Sequence, residues 1–243
     1  MKQLVTFVSL SLALAGPVVF SQETFTISTS YQNLLSNSEG TGMLDLILTE
    51  AFRRIGMKAE FVYTTTGKSL VDVNAGVFDG EINRIAGMEA QYPDLRRVPE
   101  PNMVMDFVAF STKPLKISGW ESIHDLDIGL VRGWRILEDS TKGFPHVVAV
   151  PTELELFNML RKGRIDVALY DLYTGYAVLN ELGLKDAVSL NPPLASREMF
   201  LYVHKKHEAL AGRIALALRE MKADGTWARL VAQVRTAYGI PLH

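Results

Sequence analysis

The amino-acid sequence predicts an α/β protein with two lobes, and a repeated pattern carries this prediction. The pattern is GVFDG at residues 76–80 and GRIDV at residues 163–167. In both copies, apolar residues at helical spacing precede the glycine, and an apolar, strand-like stretch follows it. A glycine at this point is typical of a left-handed residue that ends a helix. Two helix–glycine–strand units, 87 positions apart, therefore indicate two α/β lobes whose strand ends face a common crevice.

The composition is that of an ordinary globular protein of 243 residues, with a hydrophobic fraction of 48%. Basic residues number 25 and acidic residues 27, without a basic run that could neutralise a series of phosphates, so nucleic acid is not an expected partner. The absence of cysteine excludes disulfides and a lipid-bearing cysteine. His204 and His207 are three positions apart but lack a matching carboxylate pair, so no metal is expected. No phosphate-loop or dinucleotide fingerprint is present, and no cofactor is expected.

Residues 1–21 have the features of a secretory signal peptide. Lys2 supplies the charged start, an apolar segment spans residues 4–20, and VFS at residues 19–21 offers a small-residue cleavage site. An uncleaved membrane anchor is the alternative, but the apolar segment is short and is broken by serine, glycine and proline. We therefore predict a mature periplasmic chain that begins near Gln22 and carries no lipid tether.

The elements of the first lobe follow from alternation and helical spacing. Residues 24–29 and 57–63 alternate as strands, and residues 44–55 and 68–75 have helical faces. The loop at residues 37–42 enters the first helix and is either an anion site or only a cap, with the cap favoured. Residues 91–101 contain three prolines and predict an irregular loop, whereas residues 103–112 predict a strand that passes between the lobes.

The second lobe is predicted in the same way. A short helix at residues 120–123 precedes strands at 128–131 and 147–150, and a capping-box spacing at Thr152 and Glu155 begins the helix before the second repeat. Residues 198–204 predict the returning strand, and helical stripes follow it. We therefore assign residues 22–110 and 198–243 to lobe 1, and residues 111–197 to lobe 2.

Candidate ligand-binding residues lie at the predicted strand ends: Tyr31, Asn83, Arg84, Trp134 and Asp171. Arg84 offers a planar fork to a carboxylate, or it forms an ion pair with Glu81 or Glu89. Asp171 can accept a ligand ammonium and also fits the N-cap of the next helix, and these two roles are compatible. Trp134, at a glycine turn, either lines the cleft or packs between the lobes.

A set of short motifs links this chain to a known family. They are G-x-x-D at residues 42–45, GVFD at 76–79, W-x-x-I-x-x-L at 120–126, L-x-x-GRID at 160–166 and M-x-x-DGTW at 221–227. In this order the chain resembles the type 2 periplasmic solute-binding proteins of amino-acid uptake, the bacterial extracellular solute-binding protein family 3. The resemblance implies a two-lobed fold, each lobe a mixed sheet flanked by helices. Two hinge strands would join the lobes at residues 107–112 and 199–203, and the lobes would close on the ligand.

The resemblance also implies roles for particular residues. The family's acidic residue for a ligand α-ammonium falls on Asp171. Its carboxylate-binding arginine lies about a dozen positions after the first repeat's aspartate, where this chain has Gln91, which leaves Arg84, Arg96 and Arg97 as substitutes. This departure indicates a divergent branch whose ligand need not be an ordinary amino acid.

The function that the resemblance implies is capture of a small polar or amino-acid-like solute by a monomer, for an ABC permease or a membrane sensor. The protein would then be a binder and not an enzyme. The alternative is an enzyme similar to cyclohexadienyl (prephenate or arogenate) dehydratase on the same fold, with Asp171 or Glu81 as the acid. A sensory module is a third alternative, although such modules normally come fused to a membrane helix and a signalling domain.

Overall fold

The computed structural model describes residues 23–241, which form a mixed β-sheet flanked by helices; the signal peptide predicted at residues 1–21 lies outside the described residues. The strands are β1 (Thr24–Thr29), β2 (Lys58–Tyr63), β3 (Gly80–Arg84), β4 (Leu95–Arg97), β5 (Met103–Ser111), β6 (Ile128–Val131), β7 (Val147–Val150), β8 (Val167–Asp171), β9 (Val188–Ser189) and β10 (Ala195–His204). The helices are α1 (Met43–Arg54), α2 (Thr66–Asn74), α3 (Arg135–Ser140), α4 (Glu153–Arg161), α5 (Leu172–Glu181), α6 (Glu208–Ala223) and α7 (Thr226–Ala237). The predicted α/β class is confirmed.

The strands follow one hydrogen-bonded path, β2-β1-β3-β10-β5-β8-β6-β7, and β10 is the strand that divides it. Residues 200–204 of β10 pair antiparallel with β3 and β4, and residues 195–199 pair antiparallel with β5. We call β1 to β4 with residues 200–204 the first sheet, and β5 to β9 with residues 195–199 the second sheet. Each sheet contains three parallel strands, β2-β1-β3 in the first and β7-β6-β8 in the second.

The crossing between the sheets differs from the prediction at β5. This strand pairs with β10 over residues 103–107 and already pairs with β8 over residues 107–110, so the crossing lies before Phe107 and not at residues 107–112. The apolar run does not change character at Phe107, and only its pairing partners reveal the transition. The predicted lobe boundaries at residues 110 and 198 fall within β5 and β10 and remain a prediction.

The helices pack where their apolar spacing predicts. Leu44, Ile47 and Leu48 of α1 are fully buried, as are Ile214 and Leu218 of α6. Burial of such side chains contributes about 1.5–3 kcal/mol each, which offsets part of the conformational entropy that folding costs. No helix within residues 23–241 is both long and apolar enough to cross a membrane.

The segment predicted as an irregular loop contains a short strand, which corrects the prediction. Leu95 to Arg97 form β4 and pair with residues 202–204 of β10, and Leu95 is fully buried. Three residues between prolines are too few for a periodic signal. A distant strand therefore defines β4, whose own sequence does not specify it.

The loop at residues 37–42 is a cap, as favoured from the sequence. The Asp45 carboxylate accepts hydrogen bonds from the backbone N–H of Gly42 at 2.9 Å and of Asn37 at 3.0 Å, and from the Ser36 hydroxyl at 2.6 Å. Because Asp45 is fully buried, its pKa is raised by desolvation, against these hydrogen bonds. Asp45 thus occupies the backbone N–H groups of Asn37 and Gly42, and Asn37 in turn accepts from those of Gly40 and Thr41.

Candidate functional site

A cavity of about 880 Å³ lies beside the two crossing strands, at the ends of β3 and β8. Its wall combines the loop after β1, the end of β3, both crossing strands, the turn after β6 and the start of α5. The lining residues include Ser30, Tyr31, Asn33, Arg84, Ile85, Met105, Phe107, Trp134, Arg135, Asp139, Glu153, Tyr170, Asp171, Thr174, Arg197 and Met199. The volume is within the usual range for a small-molecule site.

Four of the five predicted site residues line this cavity: Tyr31, Arg84, Trp134 and Asp171. Asn83 does not, because its side chain is fully buried behind Tyr31. Its Nδ2 group donates to the Tyr31 hydroxyl at 3.3 Å. Asn83 can therefore act on a ligand only by orienting Tyr31, and a binding role for any of the five remains a prediction.

Arg84 forms an ion pair with Glu81, which is one of the two interactions that the sequence left open. Its Nη2 lies 2.8 Å from Oε1 of Glu81, and the two side chains are 16% and 1% exposed. Neither atom has a hydrogen-bond partner of acceptable geometry, and the Arg84 Nε is likewise buried without an acceptor. Glu89, the other expected partner, instead has its Oε2 atom 3.3 Å from the Tyr202 hydroxyl oxygen. Arg84 therefore has donors to spare beside the cavity.

Glu81 is held from its other side by two serines. The Ser69 hydroxyl on α2 donates to Oε2 of Glu81, and it shares a 2.7 Å hydrogen bond with the Ser28 hydroxyl on β1. Burial raises the pKa of Glu81 to about 7, because desolvation outweighs the lowering effect of Arg84. The carboxyl therefore titrates near neutral pH.

Asp171 is fully buried and caps α5, as the sequence predicts. Oδ1 accepts from the backbone N–H of Thr174 at 3.0 Å, and Oδ2 accepts from the Thr174 hydroxyl. Burial raises the pKa of Asp171 to about 6, since desolvation outweighs these two hydrogen bonds. The cap is confirmed, and Asp171 is also one of the residues that line the cavity.

Aromatic rings form the wall next to Asp171. The Trp134 ring lies 5.6 Å from that of Phe107 and 5.2 Å from that of Tyr170, measured between centroids and both edge-on. Burial raises the pKa of Tyr170, with a smaller contribution from the Asp171 charge. Trp134 thus lines the cavity and packs on two strands of the second sheet, through Phe107 of β5 and Tyr170 of β8, and packing between the lobes stays a prediction.

The sequence did not identify Arg197, Arg135, Asp139 and Glu153 as cavity residues. The sequence carries a signal for Arg197, which is two residues before Met199 on β10, so that both side chains lie on the same face of the strand. Arg197 also pairs with Met105 in the antiparallel register of β10 and β5. The other three lie at the starts or ends of α3 and α4, where no periodicity distinguishes a cavity residue from a solvated one.

The two histidines after β10 have a structural setting. His207 Nε2 lies 2.7 Å from Oδ1 of Asp79, and the His204 Nδ1 accepts from the backbone N–H of Lys206 at 3.3 Å. Among residues 23–241, no group of three or more His, Cys, Asp and Glu side chains is arranged to hold a metal ion.

No family model matches the chain. A protein from Shewanella oneidensis that bears the name "Uncharacterized protein" is 23% identical over 206 residues, a match that spans 80% of this chain and 76% of that protein.

Solved structures show the fold. An L-cystine solute receptor of Neisseria gonorrhoeae in its unliganded open conformation has a TM-score of 0.71 at 20% identity, over 88% of this chain and 93% of that chain. A histidine kinase sensor domain with similarity to periplasmic binding proteins has 0.66 at 17% identity, over 87% and 96%. An ancestral amino acid-binding protein, a precursor of cyclohexadienyl dehydratase, has 0.63 at 19% identity, over 86% and 94%. The chain therefore has the two-lobed fold of periplasmic binding proteins.

Proposed function

We propose that this protein is a periplasmic solute-binding protein that captures a small, amino-acid-like solute in the cavity between its lobes. One observation carries the proposal: Arg84 and Asp171, which are opposite in charge, both line a cavity that also has an aromatic wall. A zwitterionic solute satisfies both charges at once. The fold shared with amino-acid-binding proteins supports the same class of solute.

Arg84 is the proposed partner of the solute carboxylate. Its Nη2 group pairs with Glu81, and its Nε donor is buried without an acceptor, a state that costs free energy until an acceptor arrives. A carboxylate is the group that a guanidinium binds best, because two parallel N–H donors match its two oxygens. Arg84 would thus replace the arginine that the family resemblance places near Gln91.

Asp171 is the proposed partner of the solute ammonium. Each of its oxygens accepts one hydrogen bond from Thr174, and a carboxylate oxygen has capacity for a second. Trp134 and Tyr170 beside it add ring faces and edges to the wall. A cation in this corner gains both ionic and cation–π interactions.

The proposed mechanism is hinge closure between lobe 1, residues 22–110 and 198–243, and lobe 2, residues 111–197. The bound solute would then be presented by a monomer to an ABC permease or a membrane sensor, and no catalysis is involved. Small-angle scattering should show compaction on ligand binding. A radius of gyration that does not change at saturating ligand would contradict closure.

Export is part of the proposal and has its own test. We expect cleavage after Ser21 and release into the periplasm without a lipid tether. N-terminal sequencing of the secreted protein should begin at Gln22. Recovery of the full-length chain in the membrane fraction would contradict export as a cleaved protein.

A thermal-shift screen against amino acids, polyamines and small carboxylates tests the binding function, because a ligand that binds only the folded state raises the melting temperature. Calorimetry with the strongest ligand should then show about a thirtyfold loss of affinity, or about 2 kcal/mol, for Arg84→Ala and for Asp171→Ala. Unchanged affinity together with a lower melting temperature would show that both residues are purely structural.

A dehydratase similar to cyclohexadienyl dehydratase is the second candidate. The observation that favours it is the buried Asp171 carboxyl on the cavity wall, whose pKa is raised to about 6, near the range that general acids use. Turnover of prephenate or arogenate by the purified protein decides between the two candidates. Loss of that turnover in Asp171→Asn would assign the acid.

A further inference from the structure

Glu81 is a buried carboxylate that the capture of a solute by Arg84 and Asp171 does not by itself require. It is 1% exposed and does not line the cavity, yet it contacts the one cationic side chain that β3 contributes to the cavity wall. Placing an ionisable group in such a position is costly unless a partner compensates it. Either the strand itself or Arg84 therefore accounts for this charge.

The second sheet shows that the strand does not need it. β8 occupies in the second sheet the place of β3 in the first, because β3 pairs in parallel with β1, β8 pairs in parallel with β6, and each follows a copy of the repeat. Two positions after the repeat aspartate, β3 has Glu81 and β8 has Ala168, and both residues are buried. The same strand can thus be built with a methyl group, and what Glu81 adds is its interaction with Arg84.

We propose that Glu81 is a positioning residue that holds the Arg84 guanidinium at the cavity wall and tunes its affinity for a carboxylate by exchanging a proton. This inference rests on the proposed anion-binding role of Arg84. When Glu81 is ionised, its charge offsets that of Arg84. When a carboxylate binds Arg84, Glu81 takes up a proton from solvent, because two carboxylates beside one guanidinium repel each other.

The surroundings of Glu81 leave Arg84 as its charged partner. Ser28 on β1 and Ser69 on α2 are neutral, and on α2 the exposed Lys68 pairs with Asp72. The Tyr31 hydroxyl after β1 is bonded by Asn83, and across the sheet the Tyr202 hydroxyl of β10 donates to the Ile85 carbonyl. The pKa of Glu81, raised by burial to about 7, puts the exchange near neutral pH.

Asp171 acts in the opposite direction and must be separated from Glu81. Its pKa of about 6 means that it ionises as pH rises, which strengthens binding of an ammonium group. A probe without an ammonium group does not use this interaction. Acetate, a carboxylate that stays ionised above about pH 6, is therefore the probe.

The first measurement needs no ligand. NMR of the full chain should show the Arg84 Nε–Hε resonance shifting with a midpoint near pH 7 in the wild type and in Asp171→Asn, and remaining constant in Glu81→Gln. The resonance is assigned by its absence in Arg84→Lys. An unchanged titration in Glu81→Gln, or no titration in the wild type, would overturn the inference. Because no solute is involved, these outcomes are independent of the ligand screen that tests the proposed function.

The second measurement follows acetate binding through the same resonance. Wild-type affinity should fall roughly five- to tenfold between about pH 6 and about pH 8, as expected if the bound carboxylate raises the pKa of Glu81 by one to two units. Because ionised Asp171 would also repel the anion, both proteins are compared in an Asp171→Asn background, where Glu81→Gln should bind equally at both values and more tightly than its Glu81 parent at the higher one. Glu60→Gln, the same substitution at an exposed position on β2, is the matched control and should follow the wild type.

If Glu81 has only a structural role, the expected results for acetate binding are different. Glu81→Gln would then bind acetate more weakly at both pH values, or would keep the wild-type pH dependence, and either result overturns the inference. Absence of any acetate response of the Arg84 resonance at about pH 6 also overturns it. Glu81→Ala, which removes the contact with Arg84 altogether, should bind acetate more weakly than Glu81→Gln at both pH values, and equal affinities would overturn the positioning role.

Discussion

In both sheets, the aspartate of the repeat forms the same pair of hydrogen bonds with a neighbouring strand. The strands that follow the two repeats, however, end in residues of opposite charge. In the first sheet, the Asp79 carboxylate accepts from the backbone N–H of Thr26 at 2.9 Å, and the Asp79 N–H donates to the Thr26 carbonyl at 2.9 Å. In the second, Asp166 accepts from the N–H of Asp127 at 3.1 Å and donates to its carbonyl at 2.7 Å. In each sheet, these hydrogen bonds join the residue directly before β3 or β8 to the start of its parallel neighbour, at Thr26 of β1 or at Asp127 directly before β6.

The difference in charge arises five positions after the aspartate of each repeat. Arg84 follows Asp79 by five residues, and Asp171 follows Asp166 by five. Equivalent positions at the ends of β3 and β8 thus present a guanidinium and a carboxylate to one cavity. The repeat aspartates are thus structural, whereas the residues at the strand ends carry the proposed binding.

The largest expected effect is on the free energy of unfolding, and it distinguishes Asp79 from Asp166. Asp79 is 16% exposed and also meets Lys206 at 2.8 Å and His207 at 2.7 Å, whereas Asp166 is 25% exposed and meets Lys113 at 2.5 Å. We expect Asp79→Ala to lower the free energy of unfolding by about 4 kcal/mol and Asp166→Ala by about 2 kcal/mol. Urea denaturation at neutral pH measures both.

The pH dependence of this difference follows from the pKa of Asp79, which its hydrogen-bond donors hold below its ordinary value, against the effect of burial. A lowered pKa gives stability that is present above the unfolded pKa of about 3.9 and is lost as pH falls toward the folded value. The gap between wild type and Asp79→Ala should therefore narrow in acid. If the stability difference between wild type and Asp79→Ala stays constant down to about pH 3, the charge of Asp79 is not the source of its stabilising effect.

The next effect is the pH dependence of stability that Glu81 causes. The equivalent position in the second sheet is Ala168, which does not titrate. A carboxyl whose pKa is raised from 4.5 to about 7 contributes stability that is complete at low pH and is lost as pH rises through about 7. Wild-type stability should therefore decline, by on the order of 3 kcal/mol from this group, and Glu81→Gln should lack that decline. Thermal denaturation across this range, with Glu60→Gln as control, measures the difference; parallel curves for all three proteins would contradict the buried titration.

The smallest expected stability effect is at Asp171, where binding and stability separate. Asparagine is as good an N-cap as aspartate, and the folded pKa of about 6 means that ionised Asp171 destabilises the fold at neutral pH. Asp171→Asn should therefore be as stable as the wild type at about pH 7, or slightly more stable, and still lose about thirtyfold in solute affinity. A large drop in melting temperature would instead assign Asp171 to the fold alone.

The sequence predicted the fold well where local pattern decides it. The bounds of β1, β6 and β7 match the predicted ranges, and Gly76 and Gly163 have φ values of 76° and 63°, as left-handed helix ends require. β4 was missed because its pairing with β10 is a tertiary interaction.

The site was predictable only in part. Strand-end positions placed Arg84 and Asp171 at one crevice, since the ends of parallel strands meet at one sheet edge. Which partner Arg84 takes, and that Asn83 lies behind Tyr31, depend on side-chain directions that spacing does not fix. Arg197 enters the cavity through the register of two crossing strands, a relation between distant segments.

The most direct test of opposite charges on one solute is a calorimetric grid. Wild type, Arg84→Gln and Asp171→Asn are each titrated with the strongest ligand of the screen, with its decarboxylated amine and with its deaminated acid. We predict that Arg84→Gln loses affinity for the ligand and the acid but not for the amine, and that Asp171→Asn loses affinity for the ligand and the amine but not for the acid. Equal losses for all three compounds in both variants would contradict the assignment of one charge to each residue.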